Sequence, residues 1–353
     1  MRIELIPNIV YNLTKDKLFG QFKLLLVSVM NSKNEQKFDF AVGGQAVIEG
    51  VMMRSNEFVT VAVRKEDGRI KVKDDPFKSI SKRIKFLGLP FIRGIVGLGE
   101  MMMVGMSALN YSANQMIEEP GQEDIEKTKK QKAGEGILFA FSFIFAISLS
   151  LFLFKFLPLW ITEWVSTIYE PFKSSILYNM LDGALKTLFF ILYILLLSFM
   201  PSIKRVFEYH GAEHKSIFAY ESGCDLTVEN AKKQSRFHPR CGTSFIFIVF
   251  MISILIYTVL PRNPDFTMNF INRMLLLPVI AAISYEFLKW SARSQNNPFM
   301  KLAIAPGLAF QRLTTKEPDD QQLEVAIHAL QKALDLEADK LSKKSDEKIV
   351  FAA

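Results

Sequence analysis

The chain has 353 residues, 50% of them hydrophobic, with 31 phenylalanines and only 22% charged residues. That balance argues against an ordinary soluble domain and for apolar residues gathered into membrane spans. The net charge of +7 fits basic cytoplasmic segments beside anionic lipid. No zinc-finger spacing, RNP-like aromatic pattern or Arg-rich recognition helix accompanies it, so no nucleic acid is expected as a partner.

In chain order, residues 1–39 are mixed. The stretch 18–27 reads as a short amphipathic helix, too short to span. The first residues lack the basic-then-apolar layout of a cleaved signal peptide, and there is no lipidation box. Residues 40–85 read as a small cytoplasmic β-rich unit. Val59, Val61 and Val63 alternate with small or polar neighbours, and Glu66-Asp67-Gly68 marks a hairpin. Gly43, Gly44 and Gly50 imply bends, close backbone approach or a ligand-cradling loop.

Residues 86–117 are apolar and carry a small-residue stripe through Gly94, Gly97, Gly105 and Ala108. Arg93 and Glu100 interrupt them, and basic residues crowd both flanks. We expect an interfacial or re-entrant helix that stays on the cytoplasmic side. Four spans are expected within 137–290, at 137–158, 185–200, 245–260 and 274–290. Lys and Arg are dense before 137, in 201–242 and after 289, and sparse in 159–184 and 261–273. This asymmetry predicts a multi-pass inner-membrane protein with both termini and the 201–242 loop in the cytoplasm. The expected fold class is therefore an α-helical integral membrane protein with about four transmembrane helices plus the interfacial helix and the β-rich unit. In 291–353 a stretch broken at Pro306-Gly307 precedes a cytoplasmic helix from Glu317 and a tail. Thr315 is its expected cap, and Leu323, Ile327, Leu330 and Leu334 form its apolar stripe.

The loop 201–242 holds three of the four histidines and both cysteines. His210 and His214, four apart, leave one face of a helix, as two metal ligands on one helix must. Glu213 between them completes H-x-x-E-H, the order of the inverted zinc-peptidase motif. The alternative is a polar helix whose histidines only join hydrogen-bond networks. The third ligand is open among His238, Cys241 and Glu286; Glu286 could instead pair with Lys289 or Arg293. In a hydrolase Glu213 would be the general base, with Arg240 and Arg236 as clamps for a developing oxyanion. His328 lies off the apolar stripe as a surface residue, and Cys224 reads as structural.

Several long motifs, GGQAVIEGVMMR (43–54), RGIVGLGEM (93–101), EYHGAEHK (208–215), LTVENAKKQSRFHPRCGTSF (226–245) and the run 297–327, resemble the bacterial YqhQ-like family of membrane proteins. The resemblance covers roughly 40–335. It implies a membrane protein of the kind labelled a predicted metal-dependent enzyme, and directs attention to Glu49, Arg54, Arg93, Glu100, His210, Glu213, His214, His238, Arg240 and Cys241. The expected function is metal-dependent hydrolysis, with a divalent ion such as zinc, of a membrane-associated peptide or lipid-like substrate. The alternatives are a non-catalytic scaffold, assembly factor or metal carrier, and a transporter working as a homo-oligomer. The lipid bilayer is the expected partner in every case.

Overall fold

A computed structural model describes residues 42–117, 129–259, 263, 265–293 and 297–350. The helix expected over 18–27 lies outside the described residues. Strands β1 (Gly43–Val47), β2 (Gly50–Arg54), β3 (Phe58–Arg64) and β4 (Ile70–Pro76) form an antiparallel meander in that order. The β1–β2 turn is the pair Ile48-Glu49, with Val47 opposite Gly50 and Glu49 at φ 49. The expected hairpin joins β3 to β4 through Gly68 at φ 83.

Successive side chains point to opposite faces of a strand, and here both faces are apolar. Val47, Met52, Val59, Val61 and Val63 pack on one side with Ala108 and Val104. Ala46, Val51, Met53 and Ala62 pack on the other with Tyr209, Ala212, Leu323 and Leu330. The sheet therefore lies between helices instead of presenting one face to water.

Helix α1 (Ile80–Arg83) and α2 (Ile92–Ile117) follow the sheet. Buried Glu100 of α2 accepts from the Ser79 hydroxyl at 2.9 Å and the Ile80 N–H at 2.5 Å, tying α1 down. Helices α3 (Lys129–Leu151) and α4 (Leu157–Ile168) run on from each other through a π turn, Phe152–Phe156. That turn stands just before Pro158, whose ring has no N–H and would crowd the preceding turn of a regular α-helix. α5 (Ser175–Ser198) begins ahead of the expected span, with Ser174 capping Leu177 N–H, and so takes in Asp182 and Lys186. α6 (Pro201–Glu221) carries the histidine pair, and α7 (Val228–Lys232) is a single capped turn.

α8 (Gly242–Val259) is strongly apolar, whereas α9 (Phe266–Leu275) and α10 (Leu277–Arg293) meet at 40°. Among the described residues, four continuous helices are long and apolar enough to cross a membrane: Ile92–Ile117, Ala140–Ile168, Ser175–Ser198 and Gly242–Val259. The bent pair makes up to five. α11 (Pro298–Thr314) continues through Pro306, correcting the expected break there. Gly307 lies so close to Ser244 that an added Cβ would come within 2.9 Å of its side chain. Packing against α8 outweighs the lost proline hydrogen bond.

α12 (Asp320–Val350) buries Leu323, Ala326, Ala329, Leu330 and Ala333 against the sheet and α6, with Ile327 and Leu334 partly buried. Its cap is Asp319, not Thr315. Asp319 Oδ1 accepts from Gln322 N–H at 2.7 Å, and Gln322 Oε1 accepts from Asp319 N–H at 2.9 Å. Such a reciprocal box satisfies two otherwise orphaned donors. His328 is exposed, as expected.

Candidate metal centre

α6 is the element that builds the site. Beside the apolar Tyr209, Ala212, Ile217 and Ala219 it buries four consecutive polar residues, Glu213, His214, Lys215 and Ser216. A buried polar face is costly unless each group finds a partner. The partners come from two distant segments. The stretch after α7 supplies Arg236, His238 and Cys241, and the end of α11 supplies Gln311 and Thr314.

The imidazole of His210 donates from Nδ1 to the Thr314 carbonyl at 2.9 Å, which leaves the Nε2 lone pair facing Cys241 Sγ at 3.3 Å. The imidazole of His214 donates from Nδ1 to the Arg236 carbonyl at 2.6 Å. Its Nε2 is buried without a hydrogen-bond partner, although Glu213 Oε2 lies 3.4 Å away, because the geometry there does not make a bond. A backbone carbonyl thus sets the tautomer of each ring, the outer contact that usually orients a metal-ligating histidine. Donor atoms of His210, His214 and Cys241 all lie within 4.8 Å of one another. Cys241 stands at the start of α8, its sulfur accepting from Thr243 N–H at 3.4 Å.

Glu213 is buried beside this trio. Burial pushes its carboxyl above the usual range, while His210, His238 and the Gly44 N–H pull it back. An added Cβ at Gly44 would sit 2.6 Å from Glu213 Cγ and 2.7 Å from Oε1, so only glycine lets β1 reach the carboxylate. This is the close backbone approach expected from the glycines of the N-terminal unit. Burial also lowers His214, and lowers His238 to about 4.

Not every expected ligand joins the trio. His238 is buried close by, its ring centroid 5.7 Å from that of His214. Its Nε2 meets Glu221 Oε2 at 3.3 Å, and its Nδ1 accepts from Arg240 N–H at 3.3 Å. Both ring nitrogens are therefore taken. Glu286 is not part of this donor group and forms a paired contact with Arg93, at 2.8 Å to Nε and 2.5 Å to Nη2. Its partner lies on α2, not at Lys289, and the expected Arg293 side chain lies outside the described residues. Arg240 is held by Glu221, and Arg236 by the Thr315 carbonyl.

Sequence reasoning missed Glu221 and Gln311, and it did not connect Gly44 with Glu213. Glu221 falls seven residues after His214, on the same side of α6, and that spacing could have pointed to it. Gln311 brackets His238, accepting from its N–H and donating to its carbonyl, both at 2.8 Å. A lone glutamine in an apolar run gives no comparable signal.

A family model described as "Protein of unknown function (DUF1385)" matches residues 89–336. The chain belongs to this family. It is also 36% identical over 308 residues to the Bacillus subtilis (strain 168) protein described as "Uncharacterized protein YqhQ", covering 86% of this chain and 96% of the relative. No solved structure matches it. The matched span contains every residue of the candidate centre except Gly44.

Proposed function

We propose that the chain is a multi-pass membrane protein carrying a metal-dependent hydrolase site on its cytoplasmic face. Chain parity supports the topology. The sheet, α6 and α12 pack into one unit, so they share one side of any bilayer, and an even number of crossings must separate them. Between the sheet and α6, Ala140–Ile168 and Ser175–Ser198 make two. A third crossing by α2 would strand the sheet on the wrong side, and half of α2 is in any case packed on the sheet. Between α6 and α12, α8 and the bent pair α9–α10 make two if the pair crosses once. The Lys and Arg distribution then assigns the shared side to the cytoplasm.

One observation carries the chemistry. Two imidazole Nε2 atoms, each fixed through Nδ1 on a backbone carbonyl, converge with a cysteine sulfur. The orphaned, buried Nε2 of His214 calls for an electrophilic partner. Histidine and cysteine are donors that suit zinc, and three protein ligands leave a fourth position for substrate or water. When bound, a divalent cation supplies Lewis acidity, polarising a carbonyl and making water acidic near neutral pH. Glu213, held in a poorly solvated pocket by Gly44 N–H, is placed to take a proton from the attacking water and return it to the leaving group. Its raised affinity for protons suits that exchange. Glu221 holds Arg240 and His238 and so shapes the wall beside the trio. The substrate class is a peptide or lipid-like ester or amide presented at the membrane surface.

The scaffold reading uses the same ligands with no turnover. Burial of His214, Cys241 and Glu213, with His210 half-buried beside them, favours it as the second reading, because a structural ion is normally enclosed. Elemental analysis of detergent-purified protein tests the centre. Wild type should carry close to one zinc, iron or manganese per chain, and His210→Ala or Cys241→Ala should carry less than a tenth of that. Equal, negligible metal in all three sinks both readings. Glu213→Gln should keep the metal but lose about a hundredfold or more in turnover of membrane-derived peptides or lipids. Unchanged turnover would remove Glu213 as the base, and no turnover by the metal-loaded wild type would leave only the scaffold.

A further inference from the structure

The apolar helices enclose a second group of charged side chains that shares no residue with the histidine site. Asp182 and Lys186 of α5 and Arg273 of α9 are all buried, at 1%, 3% and 5% exposure. Asp182 Oδ2 meets both Lys186 and Arg273. Arg273 also donates to Asn179 Oδ1 at 2.5 Å and lies over the rings of Tyr178 and Tyr257. Glu163 of α4 accepts from the Tyr178 hydroxyl at 2.7 Å at the edge of the group. The remaining member comes from the π turn. Phe154 packs on Phe190 and Tyr193 of α5, and Phe156 packs on Phe266 and Phe270 of α9. Lys155 therefore lies between the two helices that carry the cluster, within reach of the charges on Lys186, Asp182 and Arg273.

Two features are left over. Lys155 makes no hydrogen bond or ion pair among the described residues, so three cations face two carboxylates. On the acidic side, Asp182 Oδ1 is buried with no hydrogen-bond partner. A surplus ammonium and an orphaned carboxylate oxygen are each costly among apolar helices. One ligand with both an anion and a donor hydrogen satisfies both. The cluster also sits where α9 breaks from α10, and broken helices in membrane proteins commonly line ligand sites. Asp182 lies seven residues into α5, about 10 Å from its start. In the topology proposed above that start lies at the non-cytoplasmic surface. Exposed Trp160, Trp164 and Tyr169 mark the neighbouring end of α4, as interfacial aromatic residues do.

We propose that Lys155, Asp182, Lys186 and Arg273 form a binding site for a phosphate group that carries its own hydrogen-bond donor. Lys155 and Arg273 face the phosphate oxygens, and Asp182 Oδ1 accepts from the donor. Two sources share this chemistry. One is a phospholipid headgroup with a hydroxyl or ammonium hydrogen, and the other is free hydrogen phosphate. The site is separate from the metal centre, so metal loss in His210→Ala does not bear on it.

The test uses full-length protein in detergent. Native mass spectrometry measures binding of phosphatidylglycerol, phosphatidylethanolamine and phosphatidylcholine, and calorimetry measures inorganic phosphate. For a lipid source, the glycerol and ethanolamine lipids should bind saturably and at least tenfold more tightly than the choline lipid, which has the phosphate but no donor. For a free-phosphate source, inorganic phosphate should bind saturably and no lipid should discriminate. In either case Lys155→Met, which breaks no existing bond, should weaken binding at least tenfold. Equal binding of the choline lipid without phosphate binding, no saturable binding of any probe, or unchanged binding by Lys155→Met would overturn the proposal. If Lys155→Met does not fold, the ranking of the three lipids and phosphate on wild type decides.

Discussion

At the scale of single residues, the centre is governed by which nitrogen of each imidazole is already taken. His210 and His214 keep a lone pair on Nε2 because Thr314 and Arg236 carbonyls hold Nδ1, whereas both ring nitrogens of His238 are taken by Glu221 and Arg240. That neutral, buried His238 predicts a pH dependence. Burial lowers it from 6.5 to about 4, so between those values the unfolded chain binds more protons than the folded one. Its contribution is complete above about pH 6.5 and is lost as the pH falls toward 4, at most about 3 kcal/mol. The raised carboxyl of Glu213 acts in the opposite sense, so the measurement belongs in Glu213→Gln after metal removal. Chemical denaturation of that protein should show stability falling from pH 7 to 4.5, and a flat profile would contradict a neutral buried His238. The i, i+4 histidines and Cys241 were legible in the sequence because spacing and ligand chemistry are local. The fates of Glu286 and His238 were not. Arg93, the partner of Glu286, lies 193 positions away, and although spacing puts Glu221 on the histidine side of α6, its contact with His238 forms only when the chain after α7 folds back.

Among elements, the decisive contact is between α6 and the segment joining α11 to α12. An added Cβ at Gly211 would stand 2.1 Å from the Lys316 carbonyl oxygen, and that backbone cannot yield as a flexible side chain would. Gly211→Ala must push the segment outward, and Thr314, which holds His210, moves with it. We expect a stability loss of about 1–3 kcal/mol and metal affinity weakened by roughly tenfold or more, as when an outer partner of a metal ligand is lost. Competition with a chromogenic chelator measures the second effect, and unchanged affinity would show that Thr314 does not orient His210. The helices, strands and β3–β4 hairpin were largely readable, since hydrophobic period and turn chemistry are short-range. Their limits were less so. Pro306 sits inside α11 because packing of Gly307 on Ser244 outweighs one missing hydrogen bond. The start of α5 was hidden because Asp182 and Lys186 neutralise each other within the bundle, which composition alone cannot show.

For the whole molecule, the parity of crossings makes the topology a single prediction. Phosphatase reporters fused within the α4–α5 connection or after Asp265 should be active outside the cell. Fusions after Ile117, Ser222 and Lys340 should be inactive. Activity after Ile117 would mean that α2 crosses, and would break the shared side of sheet and α6. The same packing has a consequence for biogenesis. The Ser55 hydroxyl donates to Glu337 across a separation of 282 residues, and Thr60 reaches the Ala329 carbonyl. The early strands thus wait for the last helix to leave the ribosome before one of their faces is covered. Until then Ser55, Thr60 and the apolar side chains that pack on α12 lack their partners.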